Sequence, residues 1–447
     1  MQALPDTIVA RATPPGRGGI AVLRVSGPGC RTIAESVTGS VPAPRRAVLR
    51  DISDSEGQTI DTALVLFFPA PGSFTGEDVL EFQLHGSPVI CELVLGRIQQ
   101  LGARLAEPGE FTRRAFLNDR LDLNQAEAVA DLIDAGSRAA ALAARRSLQG
   151  DFSAAVLALN DQVTELRTYV EAAIDFPDED IDFLDDDALR KRQQSVAEAF
   201  DRLQATARQG VLLRDGIQVV IAGRPNAGKS SLLNALAGYD AAIVTEVPGT
   251  TRDLVRESID LDGLPLHVID TAGLRSDPGR IEAEGIRRAR EQLACADHAL
   301  LVVDATSPVD ETTDALIAEL PPGLTWTVAV NKIDLSGDTP GVAGPDRVNV
   351  SALTGAGLDQ LRTRVKSAVG YEEPGEGTVI ARQRHLDALH RARKHFEEAR
   401  RLLDEQQAGE LFADELLQVQ NALAEITGEY GAEDLLGEIF SNFCIGK

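Results

Sequence analysis

The sequence predicts three parts: an α+β N-terminal domain, an all-α helical domain, and an α/β phosphate-loop domain inserted into the helical one. Three observations predict this. Short apolar runs bounded by Gly and Pro fill the first 120 residues. From about Asn124, and again after Pro374-Gly375, apolar residues recur at helical spacing. Between these stretches, 216–370 alternates short apolar strands with helices, the pattern of a parallel-rich α/β unit. The expected boundaries are 1–120, 121–215, 216–375 and 376–447, with the second and fourth segments as halves of one helical domain.

In the first segment the runs IAVLRV at 20–25 and ALVLFF at 63–68 read as strands, and one helix is expected near 89–101. In the second, Leu148, Phe152, Val156, Leu159, Val163, Leu166 and Val170 recur at steps of four and three, the signature of a long amphipathic helix. Another helix is expected over 187–209. Between them, DFPDEDIDFLDDD at 175–187 holds eight carboxylates and no cation, with Pro177 as a breaker, and reads as a solvated acidic loop. After Pro374-Gly375, Leu386, Leu389, Phe396 and Leu402, then Leu416, Leu423 and Ile426, mark helical apolar faces. No internal repeat or low-complexity tract interrupts this plan.

The charge argues against a protein that coats nucleic acid. With 44 Lys+Arg against 69 Asp+Glu, the 447-residue chain carries a net charge of −25, and a field of that sign repels a polyanion. The acidity is uneven: segment 1–120 is −1, 121–215 is −9, 216–375 is −9 and 376–447 is −6. Cys30, Cys91, Cys295 and Cys444 form no CxxC pair, which fits a reducing cytosol better than a disulfide framework or zinc ribbon. The first residues lack the apolar core of a signal peptide, and no uncharged run reaches the roughly 18 residues a membrane span needs. The chain is therefore expected to be cytoplasmic, with no membrane partner.

The run GRPNAGKS at 223–230 follows the predicted strand Ile217–Ala222 and precedes a predicted helix over 231–237, the context in which such a loop binds phosphate. The expected contacts run from Asn226 through Ala227, Gly228, Lys229 and Ser230 to Ser231. Inward-turned N–H groups and the helix N-terminus meet the phosphates, Lys229 reaches the β- and γ-phosphates, and Ser230 can ligate Mg²⁺. Asp270, Thr271, Ala272 and Gly273 end a predicted strand over 266–269, where Asp270 can hold the Mg²⁺ shell and the Gly273 N–H can reach the γ-phosphate. Asn331, Lys332, Ile333 and Asp334 end another over 326–330; Asp334 offers the carboxylate that accepts guanine's paired N–H donors, which adenine lacks. Ser351, Ala352 and Leu353, after a predicted strand over 348–350, fit the loop that closes over the base. Four motifs in this order predict a guanine-nucleotide domain with GTP as its substrate.

Leu274 follows these motifs where Ras-like proteins carry a water-positioning glutamine, so charge and water placement must come from elsewhere. Asn226 and the stretch TEVPGTTRD at 245–253 offer a source: a side-chain oxygen and loop carbonyls could cage a monovalent cation beside the leaving oxygen. On spacing alone Asn226 equally fits a residue that caps a turn.

With GRPNAGKS, PGTTRD, DTAGL, NKID and the ending Phe443-Cys444-Ile445-Gly446-Lys447 taken together, the chain resembles the MnmE (TrmE) family of bacterial tRNA-modification GTPases over its whole length. DTIVA at 6–10, ATPPGRGGI at 12–20, FTGEDV at 74–79, PGEFT at 108–112 and RAFLN at 114–118 resemble that family's folate-homology domain, and LDLNQAEAV at 121–129 resembles its entry into the helical domain. Many GTPases share the nucleotide motifs; the two ends single out this family.

The resemblance implies a homodimer built through the N-terminal domain and K⁺-stimulated GTP hydrolysis with G domains pairing across the dimer. Nucleotide contacts would extend over Thr245, Glu246, Val247, Pro248, Gly249, Thr250 and Thr251. Asn226 and Thr250, with the backbone near Thr245 and Val247, match the K⁺ site; Ser230 and Thr251 match the Mg²⁺ ligands; Glu282 matches the acidic residue that places the attacking water. It further implies an FAD-containing MnmG-like partner in a heterotetramer, tRNA held mainly through that complex, and a tetrahydrofolate one-carbon unit used to build an aminomethyl or carboxymethylaminomethyl group at C5 of the wobble uridine. Arg24, Glu81, Arg120 and Lys447 match the folate-derivative site, and Cys444 takes a part in modification. Arg120 stands where Lys is usual, and Ser87 where Gly is usual. Two other readings compete: a potassium-dependent GTPase switch for ribosome assembly, which should show a basic docking face, and a folate-binding scaffold whose G domain times partner association.

Overall fold

The computed structural model describes residues 6–175, 187–238, 257–270, 296–318, 320–373, 375, 377–406, 408–429, 433–441, 443 and 446. Contacts divide the chain into two units: Met1–Ala130, Leu148–Val196 and His390–Lys447 form one, Asp131–Ser147 and Ala197–Leu389 the other.

The first unit holds β1 (Ile8–Arg11), β2 (Ile20–Ser26), α1 (Cys30–Thr38), β3 (Val48–Ser53), β4 (Thr59–Phe68), β5 (Val79–His85), α2 (Pro88–Gln100), β6 (Arg104–Leu105) and α3 (Glu110–Leu117). The sheet order is β3-β4-β5-β2-β1-β6, antiparallel except where β6 runs parallel to β1. Alternation decides which face is covered. Leu23 and Val25, Val65 and Phe67, and Phe82 and Leu84 point to one side, where Ile33 and Val37 of α1 and Val94 and Ile98 of α2 bury them. The other side carries Arg24, Glu81 and Gln83, each half-buried.

After α4 (Leu123–Asp134) come α5 (Arg138–Gln149), α6 (Asp151–Asp175) and α7 (Asp187–Asp215). Phe152, Val156, Leu159, Val163, Leu166 and Val170 are all buried, as their spacing predicts. Leu148 is only half-buried, because Gly150, at φ +95°, separates α5 from α6. A Cβ there would also stand 3.1 Å from Gln125 Nε2.

In the second unit, β7 (Ile217–Ala222), α8 (Lys229–Ala237), β8 (Glu257–Leu261), β9 (Leu264–Asp270), β10 (His298–Asp304), α9 (Val309–Ile317), β11 (Thr325–Asn331), α10 (Ile333–Ser336), β12 (Gly341–Gly344), β13 (Arg347–Asn349) and α11 (Leu358–Ala368) build a sheet ordered β12-β13-β11-β10-β7-β9-β8. Its centre is parallel and its two edges are antiparallel hairpins. The first six residues of β10 are all buried, and after His298 they make the continuous apolar run, 299–303, of a strand covered on both faces. One face packs Val219, Ile221, Leu300 and Val302 against Leu232, Leu236, Leu361 and Val365; the other packs Leu301, Val303 and Val328 against Ile317 and Trp326. Ala143 and Ala144 of α5, Leu213 of α7, and Ile380 join the first of these cores. Asp131 accepts hydrogen bonds from Arg214 Nε and from Arg382 Nη2, each at 2.8 Å, and Ser147 Oγ bonds both the carbonyl and the N–H of Ile380.

The chain closes with α12 (Gln383–Gln406), α13 (Gly409–Thr427) and α14 (Glu433–Ser441). Leu386, Leu389, Phe396, Leu416, Leu423 and Ile426 are buried as expected, but Leu403 takes the inward place expected of the half-buried Leu402. Within the first unit, α13 meets α6 through Gln420, which hydrogen-bonds Thr164 and Arg167. Leu436, Ile439, Phe440 and Phe443 share a core with Leu123 and Ala126. Gly446, near the end, lies so close to β1 that a Cβ would stand 2.2 Å from the Arg11 carbonyl. Among the described residues no helix is long and apolar enough to cross a membrane.

Candidate functional site

The C-terminal ends of parallel strands form a crest where ligands bind in open α/β sheets, and the predicted nucleotide residues that the structure describes gather on it. At the end of β7, Gly223 passes so close to β10 that a Cβ would stand 2.3 Å from the Val302 carbonyl. Asn226 and Gly228 then turn the loop through left-handed conformations, φ +64° and +93°, and α8 starts directly at Lys229. Lys229 Nζ donates to the carbonyls of Gly223 at 2.9 Å and Arg224 at 3.2 Å, which aims it along the loop. Ala227 is buried, whereas Asn226, Ser230 and Ser231 are exposed.

The base corner forms where β11 ends. Asn331, 1% exposed, donates from Nδ2 to the Ala227 carbonyl at 3.0 Å and accepts the Ala352 N–H on Oδ1 at 3.0 Å, tying the phosphate loop to the closing loop. Lys332, at φ +70°, donates from Nζ to the Asn226 carbonyl at 2.6 Å and to Asp304 Oδ2 at 2.7 Å. Asp334 is exposed, and the buried Ser351 donates from Oγ to its Oδ1 at 2.5 Å while accepting the Thr354 N–H at 3.2 Å. Leu353 is 85% exposed, so its side chain is free to lie over a planar ligand. At Asp304 burial acts to raise the carboxyl, but hydrogen bonds from Lys332 and Thr306 outweigh it and hold the group below the ordinary carboxylate range. Asp304 escaped the sequence reading; its signal was a carboxylate closing the run HALLVVD one strand before the Asn-Lys-x-Asp motif.

Asp270 ends β9, paired in register with Ile221 of β7 beside the loop. Thr245, Glu246, Val247, Pro248, Gly249, Thr250, Thr251, Thr271, Ala272, Gly273, Glu282, Cys444 and Lys447 lie outside the described residues, as does the acidic stretch 176–186.

A second cluster sits on the face of the N-terminal sheet opposite α1 and α2, where Phe111 of α3 packs with Ile8 and Ala10. Arg24 of β2 and Glu81 of β5 are register partners, joined by Arg24 Nε donating to Glu81 Oε1 at 2.8 Å. The guanidinium lies 6.0 Å from the ring centroid of Phe74 and 5.8 Å from that of Phe111. Arg120 is exposed, and its stem flanks the 74–77 turn: a Cβ on Gly76 would stand 3.3 Å from Arg120 Cγ. Asn118 Nδ2 donates to the Thr75 carbonyl at 2.7 Å, fixing the two loops together. Beneath lies an ionic layer that sequence reasoning missed: Arg114, 3% exposed, pairs with Asp6 at 2.7 Å and Glu77 at 3.0 Å, and Glu77 accepts from Ser26 Oγ at 2.7 Å. Such a layer holds the loop bearing Phe74 because leaving any member unpaired is costly. The departure at Ser87 is sterically neutral, since its φ of −83° suits any residue; the crowded position is Gly86, where a Cβ would stand 2.3 Å from the Gly18 carbonyl.

A crest that joins a helix-opening phosphate loop to a carboxylate-bearing base corner defines a P-loop GTPase. Residues 7–120 match the family model described as GTP-binding protein TrmE N-terminus, and 123–444 match the MnmE helical domain. The chain is 54% identical to the tRNA modification GTPase MnmE of Nitrosococcus oceani, covering 99% of this chain and 98% of that one. It is 58% identical to the tRNA modification GTPase MnmE of Alkalilimnicola ehrlichii, covering 99% of each. Among solved structures, the G domain of the T. maritima FeoB iron transporter is 28% identical over 34% of this chain and 98% of that one, at a TM-score of 0.26. The chain belongs to the MnmE family of tRNA modification GTPases.

Proposed function

We propose that this chain hydrolyses GTP in a potassium-stimulated reaction and, with an FAD-containing MnmG-like partner, installs aminomethyl or carboxymethylaminomethyl groups at C5 of the wobble uridine of tRNA in the cytoplasm. The observation that carries the GTPase half is the Asp334 carboxylate held by Ser351 Oγ at 2.5 Å, because only a guanine presents two adjacent N–H donors to that acceptor. Family kinship supports the tRNA half.

The placement of the described groups supports their roles, and family resemblance supplies those of Thr245, Val247, Thr250, Thr251 and Glu282. Asp334 reads the base and Asn331 keeps the base corner and phosphate loop at one spacing. Lys229, aimed along the loop, meets the β- and γ-phosphates. Ser230 stands exposed in the first turn of α8 beside those phosphates, which suits it to hold Mg²⁺ with Thr251; a bound Mg²⁺ neutralises phosphate charge. Asn226 presents its carbonyl to Lys332, so its exposed side-chain oxygen remains available to K⁺ together with Thr250 and the backbone near Thr245 and Val247; that cation supplies the charge of an arginine finger. Asp270, which closes β9, would hold the Mg²⁺ shell, and Glu282, by family resemblance, would place the attacking water.

For the N-terminal cluster we read a tetrahydrofolate-derivative site. Arg24 spends its Nε on Glu81 and keeps two Nη groups for a carboxylate or pterin oxygen, Glu81 accepts pterin N–H groups, Phe74 offers a half-exposed ring to stack on, and Arg120 and Lys447 supply further cations. A homodimer built through the N-terminal domain, and tRNA affinity residing mainly in the partner complex, complete the reading; the chain's net charge of −25 supports the last point.

Nucleoside mass spectrometry of tRNA from a deletion strain tests the modification half, and GTP turnover of the purified protein in K⁺ against Na⁺ tests the hydrolytic half. Loss of C5-modified wobble uridine, restored by the wild-type gene, and faster turnover in K⁺ are expected. Unchanged tRNA, or equal rates in the two salts, would overturn the corresponding half.

A further inference from the structure

Between the base corner and the phosphate loop stands one carboxylate to which the motifs assign no role. Asp304 is the last residue of the central strand β10, whose neighbours in the sheet are β7, which feeds the phosphate loop, and β11, which feeds the base corner. It pairs in register with Asn331. Its carboxylate is fully oriented: Oδ1 accepts the Thr306 N–H at 2.9 Å and the Thr306 hydroxyl at 2.7 Å, and Oδ2 accepts Lys332 Nζ at 2.7 Å.

What Lys332 does with its remaining reach gives that pair its meaning. Its Nζ also donates to the Asn226 carbonyl, one residue before the carbonyl that accepts from Asn331. Two consecutive residues of the base corner therefore hold two consecutive carbonyls of the phosphate loop. Asn226 and Lys332 are both non-glycine residues in the left-handed region, at φ +64° and +70°, a conformation that costs roughly 1–2 kcal/mol per residue unless its surroundings enforce it. The bond between them is part of that enforcement. The seam has no slack, since a Cβ on Gly228 would stand 2.3 Å from Asn331 Nδ2.

We propose that Asp304 is a positioning residue of the nucleotide site: by fixing Lys332 it fixes the Asn226 peptide, so the base corner and the phosphate loop bind a guanosine di- or triphosphate as one preset unit. This rests on reading the crest as a guanine-nucleotide site. Without Asp304 the Lys332 ammonium is free to leave the Asn226 carbonyl for solvent, and the loop must then be ordered at the expense of binding energy. Because the pair is partly exposed, with 20% of the Asp304 and 31% of the Lys332 side chain accessible, the effect is at the lower end for a charge-assisted contact, about a tenfold loss of affinity.

The test titrates the full-length protein with a fluorescent GDP analogue in wild type, Asp304→Ala, Asp304→Asn, Lys332→Ala and the Asp304→Ala/Lys332→Ala double variant, with melting temperature measured alongside. Asp304→Ala should bind about tenfold more weakly, with at most a small fall in melting temperature that leaves the protein folded at the assay temperature. Asp304→Asn, which can still accept from Lys332, should recover part of the loss, and the double variant should bind no more weakly than Lys332→Ala. Unchanged affinity in Asp304→Ala, additive losses in the double variant, or a fall in melting temperature with affinity preserved would each overturn the proposal. Failure of the wild type to bind GDP would instead strike the reading of the crest itself.

Discussion

Replacing Asp334 by Asn should turn the site away from GTP and toward nucleotides of xanthine, and the structure sets the size of the change. Guanine's N1–H and 2-amino group give two donors to one carboxylate. Each charge-assisted bond is worth about 1.5–3 kcal/mol net. Asn keeps one acceptor but turns an N–H against the 2-amino group, so one bond is lost outright and the other loses its charge. Since Asp334 is exposed, solvent moderates the loss, and about 3–4 kcal/mol, or about a hundredfold to a thousandfold in GTP affinity, is expected. Ser351 Oγ can still donate to the Asn oxygen, so the side chain stays oriented and the melting temperature should not move. Xanthine carries a carbonyl where guanine has the amine, and the new amide N–H can pair with it. Competition of GTP and XTP against a fluorescent nucleotide measures both sides. A variant that still preferred GTP would refute the assignment of Asp334 as the base reader.

Two other predictions concern groups away from the base. His298 lies fully buried on β10, hydrogen-bonded to Thr325 and Thr327, and burial, followed by the positive charge of Arg364 and against the pull of Asp346, drives its imidazole down to about 4. Below the unfolded value of 6.5 the unfolded chain binds the proton and the folded one does not, so stability falls with pH, by about 2 kcal/mol between pH 7.5 and pH 5. Urea unfolding at the two pH values should show that loss in wild type and much less of it in His298→Gln; equal slopes would remove His298 as the cause. Cys444→Ser should leave GTP hydrolysis near normal while reducing wobble modification measured by nucleoside mass spectrometry, and full modification would take Cys444 out of the chemistry.

The parts legible in the sequence were those in which a local pattern dictates its own geometry. Val156, Leu159 and Val163 mark a buried helix stripe wherever that helix packs, and a glycine-rich loop between strand and helix needs no distant partner to be recognised. Side chains whose meaning depends on what faces them were not legible. Asp304 is an ordinary strand-ending acid until Lys332 reaches it from the end of the neighbouring strand, Phe74 gains a role only beside Arg24, and Arg114 only where Asp6 and Glu77 meet it. Gly150 could not be told from a tolerated helix glycine until its left-handed φ showed where α5 ends. Register moved Leu402 aside for Leu403 because one residue is about a 100° turn, enough to exchange neighbours on the inner face.

The sharing of Ala143, Ala144, Leu213 and Ile380 with the α/β core bears on how portable the nucleotide-binding part is. An insertion suggests a cassette that could be lifted out at its two crossing points and placed in another host. Here the host's own helices serve as the cassette's floor, and Asp131 grips the chain both just before β7 and just after the α/β segment. A gene fragment spanning 216–375 alone would leave that floor behind and expose the apolar underside of the sheet, whereas one that carried 131–147, 197–215 and 376–389 with it would keep the module intact. Recombination, natural or engineered, would have to move the guest with part of its host.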